Sequence, residues 1–188
     1  MSRNLVIMYV ACILGLVMAI SPVHSQTTLT RSLTKQLILQ PIAMLDLEPD
    51  ASAISFTLPA PAEAGAAPDL SGISDNSKWI NYTSAVPPST TRDITVAVTG
   101  GTVPPGLNLL LTVSSAAVSG GGTKGTPTSQ VTVGATAQPC IQGIGGAFTG
   151  NGSNSGHQLT YTLDFGNFAQ LYAVNTGNAV ITYTLVDH

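Results

Sequence analysis

Charge is scarce in this 188-residue chain: Lys, Arg, Asp and Glu together make up 8% of it, with 6 basic against 9 acidic residues. A soluble domain ordinarily carries about 25%. So few cations cannot line a phosphate-tracking stripe, which excludes nucleic-acid binding. Aromatic residues are rare too, at 5%, and only two cysteines are present, Cys12 and Cys140. The Ala/Glu/Lys/Leu/Arg-rich composition of coiled coils and helical bundles is missing. Disorder is equally excluded, because 44% of residues are apolar and the net charge is only −3. What is abundant is Thr, Ser and Gly: 23 Thr and 17 Ser, or 40 of 188 residues, plus 19 Gly and 12 Pro. That describes one hydroxyl-rich β domain with a nearly uncharged surface, a composition closer to a building material than to an enzyme.

The N-terminus reads as a secretory signal peptide over residues 1–25. Arg3 precedes an apolar run from Leu5 to Ile20, and small residues at Val23 and Ser25 precede Gln26. The run is shorter than the roughly 20 residues that span a bilayer, and Pro22 follows it. Export is therefore expected, with Cys12 leaving in the leader. Cys140 is then alone, so no internal disulfide can form, and it is expected to be a small buried hydrophobe.

From residue 41 to 188 the apolar residues alternate with period two, the mark of half-buried strands. The runs are Ile54/Phe56/Leu58, Ile94/Val96/Val98, Leu107/Leu109/Leu111/Val113, Val131/Val133, Leu159/Tyr161/Leu163/Phe165 and Ala179/Ile181/Tyr183/Leu185. Thr and Ser fill the alternate positions, as suits a solvated pleat. Turn clusters separate them at Pro87–Ser89, Gly100–Gly101, Pro104–Gly106, Gly120–Gly122 and Gly150–Gly152. Loops are expected over Ala60–Asp69 and Asp75–Ser77. The pattern gives an all-β, antiparallel sandwich or barrel, as one domain.

The segment Gln26–Gln40 stands apart. It places Leu29, Leu33, Leu37 and Leu39 on one parity, interrupted by Arg31 and Lys35. It is either an ordinary first strand or a strand made to enter another molecule's sheet. At the other end, the apolar strand Asn178–Val186 must pair on both sides or leave an open edge.

Motifs for chemistry fail. The nucleophile-elbow spacing G-x-S-x-G is absent around Ser153 and Ser155. The Gly-rich stretches do not open helices, so no phosphate cradle is implied. One Cys and two His after the leader are too few for a zinc site. Asp46, Glu48 and Asp50 begin like a calcium loop, but Ala51 and Thr57 stand where a glycine and an acid are needed. No catalytic residue, metal or cofactor is assigned. Trp79 and Tyr82 could stack on a sugar, but core packing, or for Trp79 a cap on the sandwich end, is the default for sparse aromatics on strands.

Several segments, taken in order, resemble a known family: WINYTS (Trp79–Ser84), VPPGLNLLLTV (Val103–Val113), GGGTKGTPTSQVTV (Gly120–Val133), GIGGAFTGNGSNSGHQLTYTL (Gly143–Leu163) and AVITYTL (Ala179–Leu185). They are similar to small exported bacterial proteins related to the spore-coat-U-like pilin subunits of the chaperone–usher pathway, in a form like those of the Bacteroidetes. The resemblance implies an immunoglobulin-like sandwich lacking its last strand. It implies that the groove is filled first by a periplasmic chaperone and then, at an outer-membrane usher, by the N-terminal extension of a neighbouring copy. Carried onto this chain, Gln26–Gln40 is the donor, with Leu29, Leu33, Leu37 and Leu39 entering the groove, and Ile181, Tyr183 and Leu185 border the acceptor. The expected function is a subunit of a secreted, cell-surface pilus or fibre polymerised head to tail. Relatives of this kind commonly carry a disulfide near the first strand, which Cys140 alone cannot supply. The alternative is a monomeric secreted sandwich that binds glycans through Trp79 and nearby aromatics.

Overall fold

A computed structural model describes Arg31, residues 33–172 and residues 178–188. The expected signal peptide and Leu29 lie outside the described residues. Two compact units divide at Ile38/Leu39. Within the first, Arg31 and residues 33–38 form no helix or strand, and the second is the β domain.

Nine strands build that domain: β1 (Ile42–Glu48), β2 (Ser74–Ala85), β3 (Arg92–Gly101), β4 (Leu107–Val113), β5 (Gly121–Pro127), β6 (Val131–Thr132), β7 (Gln138–Phe148), β8 (His157–Phe165) and β9 (Ala179–Asp187). Every pairing is antiparallel, as expected for short turns between strands. The order β6-β4-β8-β2-β7-β3-β9 does not close on itself, and β1 pairs with β2 while β5 pairs with β7. β2 turns the corner: Ser74–Ile80 pairs with β8, whereas Thr83 and Ser84 pair with β7. The result is a sandwich-like arrangement with β1-β2-β8-β4-β6 in one layer and β5-β7-β3-β9 in the other.

The core is the inner parity of both layers, except that Cys140 and Ile141 are both buried where the β3–β7 register shifts. Ile80 and Tyr82 of β2, Leu109 and Leu111 of β4, and Leu159 and Tyr161 of β8 meet Ile94 and Val96 of β3 and Cys140, Ile141 and Ile144 of β7. Period two turns the intervening Thr residues outward, and on β3 and β9 they pair across strands, with Thr99 Oγ1 2.6 Å from Thr182 Oγ1.

Three expectations are corrected. Ile54, Phe56 and Leu58 do alternate in burial, and Ile54 and Phe56 pack on the core, but their backbone joins no ladder. Period two reports one-sided burial of an extended chain; a strand also needs a neighbour, and among the described residues none is in register here. Asp75–Ser77 is not a loop but lies within β2, at a register irregularity between Asp75 and Lys78. Gly120–Gly122 is more than a turn, because β5 starts at Gly121. Gly122 has φ 84, and a Cβ there would sit 2.1 Å from the Gly146 carbonyl oxygen of β7.

Candidate functional site

β9 pairs with β3 along its whole length, from Arg92↔Asp187 to Gly101↔Ala179, and among the described residues it has no partner on its other side. Alternate residues of such a strand aim their N–H and C=O groups at the open edge. Burial alternates along it: Ile181, Tyr183 and Leu185 are half-buried and pack on the core, while Val180 and Val186 are exposed. The three expected acceptor residues therefore share one face, directed inward, on the edge strand of one layer.

β1 is the corresponding edge of the other layer. Among the described residues it pairs only with β2, and Leu45 and Leu47 are half-buried against the same core. β1 and β9 approach one another without forming a ladder. The sandwich thus has a seam, bordered by two unpaired strand edges, along which core residues are incompletely covered.

The seam is held at one end by Arg92, the first residue of β3 and almost fully buried. Its Nε is 2.5 Å from Asp187 Oδ1, and its Nη1 donates to the Ile42 carbonyl, to Ser84 Oγ at 3.3 Å and to the Ala85 carbonyl at 3.4 Å. Next to it, Asp93 accepts from Gly143 N–H at 2.9 Å, with His188 Nε2 3.1 Å away, and the His188 N–H donates to the Thr91 carbonyl at 2.8 Å. The sequence shows Arg92-Asp93 and Asp187-His188 as two charged dipeptides in a chain poor in charge. Only the β3–β9 register brings them together, so spacing along the chain does not reveal this clasp.

Beneath β9, Tyr183 and Tyr161 join their phenol oxygens at 2.5 Å. Burial pushes the Tyr161 phenol up to about 12 and moves Tyr183 in the same direction. Cys140 lies in the same dry interior, its Sγ 3.3 Å from the Ile94 carbonyl and its thiol pushed up to about 12 by burial, which makes it unreactive.

Of the expected donor residues, Leu33, Leu37 and Leu39 are 81%, 97% and 76% exposed. The sugar-stacking pair does not form: Tyr82 is buried, its hydroxyl near His157 Nε2 at 3.0 Å and donating to the Lys124 carbonyl. Trp79, expected in the core or capping the sandwich end, instead sits half-buried on the outer face of β2, between Glu48 of β1 and Gln158 of β8. Parity explains both, since Lys78, Ile80 and Tyr82 point inward and the odd positions must point out. Lys78 escapes the core at the sandwich end by bonding Asp50 Oδ1 at 2.7 Å, and this ammonium holds the Asp50 carboxyl well below the usual carboxylate range. Among the described residues, no three His, Cys, Asp or Glu side chains gather as a metal site.

This geometry defines an all-β, antiparallel, sandwich-like protein with an open seam between β1 and β9. Compared with known protein families, curated proteins and solved structures, the chain matches none.

Proposed function

We propose that the chain is a structural subunit of an extracellular bacterial pilus or surface fibre, assembled by inserting the Gln26–Gln40 extension of one copy into the β1–β9 seam of the next. The observation that carries this reading is β9: an edge strand whose Ile181, Tyr183 and Leu185 form an incompletely covered inner face. Such an edge invites β-augmentation, in which backbone hydrogen bonds supply affinity and alternating side chains supply specificity. The extension offers Leu29, Leu33, Leu37 and Leu39 at matching parity. Each leucine that goes from exposed to fully buried would contribute roughly 1.5–3 kcal/mol. Because donor and acceptor surfaces differ, the contact is head-to-tail and propagates as an open filament. An unfilled seam of this kind would need a chaperone before assembly, and an exported leader and usher fit the same route. The Thr- and Ser-rich, weakly charged exterior suits a fibre wall.

The test is an unboiled SDS gel of the exported protein beside a variant lacking residues 26–40. A ladder of subunit multiples that collapses on boiling and is absent from the truncation supports assembly by the extension. A single monomer band in both lanes removes the proposal.

A second reading rests on Trp79, which lies on an outer face beside Glu48 and Gln158. A lone half-buried indole flanked by a carboxylate and an amide could recognise a sugar ring in a secreted, monomeric module. Saturable glycan binding lost in Trp79→Ala would favour it, and Tyr82 would take no part.

A further inference from the structure

We infer that Arg92 is the stop that closes one end of the β1–β9 seam and so fixes the register of whatever strand enters it. The inference rests on the donor-strand reading above and goes beyond it by assigning a specificity-determining residue to the groove.

One guanidinium reaches the first residue of β1, the last two of β2 and the last residue of β9: the Ile42 carbonyl, Ser84 Oγ, the Ala85 carbonyl and the Asp187 carboxylate. The planar guanidinium makes this set through Nε–H and the two Nη1 N–H groups, one of them shared between acceptors, and a single ammonium nitrogen cannot reach both sides at once. The side chain is 5% exposed, whereas that of Asp187 is 80% exposed. The ion pair alone would therefore hold little. The bond to Ser84, which is buried, and those to the Ile42 and Ala85 carbonyls, which are part-buried, hold the end shut, because removing their shared donor costs all three contacts at once. Behind Asp187 the chain is pinned again: His188 N–H donates to Thr91, and the His188 ring contacts Asp93. β9 cannot swing away here without breaking both attachments.

The other end of the seam differs. From Arg92↔Asp187 to Val98↔Ile181 the register advances six residues along β3, about 20 Å. There Leu47, Val98 and Ile181 are only partly buried, and among the described residues no comparable clasp joins β1 to β9. A strand that pairs with β9 can therefore extend past Ile181 but not past Asp187, where the guanidinium and the Ile42 carbonyl bar its path. Its terminal inward side chain comes to rest against Leu185, and the next two face Tyr183 and Ile181. Without a stop, a period-two stripe could slide by two residues and still keep its parity. The series Leu33, Lys35, Leu37, Leu39 makes such a slide costly at one position only, so the sequence of the extension does not define the register by itself.

The experiment is disulfide trapping in polymers of the full chain carrying Cys140→Ser, with an acceptor cysteine at Leu185→Cys and single donor cysteines scanned over Leu29, Arg31, Leu33, Lys35, Leu37 and Leu39. With Arg92 present, one donor position is expected to take at least three quarters of the cross-linked product. In Arg92→Met, the product is expected to spread over two or more positions of the same parity while the ladder persists. A single unchanged position in Arg92→Met overturns the inference. Should Arg92→Met yield no folded subunit, Arg92→Lys decides, since it keeps the charge but cannot span Ile42 and Asp187. Spread product supports the stop, and one position overturns it. If the chain with Arg92 intact gives no ladder and no cross-link, the donor-strand reading itself fails and takes this inference with it.

Discussion

The phenol oxygens of Tyr161 and Tyr183 lie 2.5 Å apart, so β8 in one layer is tied to the edge strand β9 in the other. Each hydroxyl can donate one proton and either can accept. Tyr183→Phe leaves the Tyr161 hydroxyl without its partner in a dry site and is expected to cost about 1–3 kcal/mol. Tyr161→Phe with Tyr183→Phe together should cost less than the sum of the single changes, because no orphan hydroxyl remains. Urea denaturation of the four proteins in the cycle checks this; strict additivity would mean that the two hydroxyls do not interact.

Neighbours on β2 should respond very differently. Ile80 is fully buried in the core, and Ile80→Ala is expected to lose about 2–5 kcal/mol. Trp79, one residue away, faces outward, and Trp79→Thr should cost under about 1 kcal/mol despite the larger loss of volume. Thermal or urea midpoints separate the two outcomes. A Trp79 variant as damaging as Ile80→Ala would contradict the parity of β2.

Gly156 adopts φ 67, and a Cβ there would lie 2.2 Å from the Ile80 carbonyl oxygen and 2.4 Å from Asn81 Oδ1. The Ile80 oxygen is backbone of a central strand and cannot yield cheaply, and the Asn81 oxygen belongs to a buried side chain. Gly156→Ala should therefore destabilise by more than about 1 kcal/mol. Gly134→Ala is the control, having nothing within 4 Å of its added methyl and no left-handed φ. Equal midpoints for the two variants would refute the close approach.

The strands that sequence made legible are those whose inner parity is uniformly apolar. Leu107–Val113, Leu159–Phe165 and Ala179–Leu185 coincide with β4, β8 and β9 almost residue for residue. β2 was harder because its inner face carries Lys78 and Ser84, whose polar atoms find Asp50 and Arg92. β5 and β7 hid behind glycines that the eye reads as turns but that here permit close strand contact and register shifts. Ile54–Leu58 shows the reverse failure, because alternation cannot reveal that an extended segment lacks a ladder partner. For the site, the inward face of β9 follows from period two alone. Its position at an edge, and the Arg92 clasp, depend on which strands become neighbours, and no local pattern encodes that.

His157 provides the pH test. It is fully buried, with Nδ1 2.8 Å from the Ser114 carbonyl and Nε2 3.0 Å from the Tyr82 hydroxyl. The carbonyl only accepts, so Nδ1 carries a proton, while the single Tyr82 phenol proton beside Nε2 goes to the Lys124 carbonyl. Burial first, and then the Lys124 ammonium, lower its pKa below the ordinary 6.5, against the opposing pull of the Ser114 and Lys124 carbonyls. The folded chain therefore keeps the ring neutral where the unfolded chain, titrating near 6.5, binds a proton. Stability from this group is fully present above about pH 6.5 and declines as pH falls below it, flattening once the folded-state value is passed. His157→Gln cannot bind that proton, so its loss of stability between pH 7.5 and 5 should be smaller than that of the unaltered protein. Asp93, Asp187, His188 and the other titrating groups are common to both proteins, so the difference isolates His157. Urea midpoints taken across that range give the comparison, and parallel pH profiles for the two proteins would show that the imidazole is not held neutral in the fold.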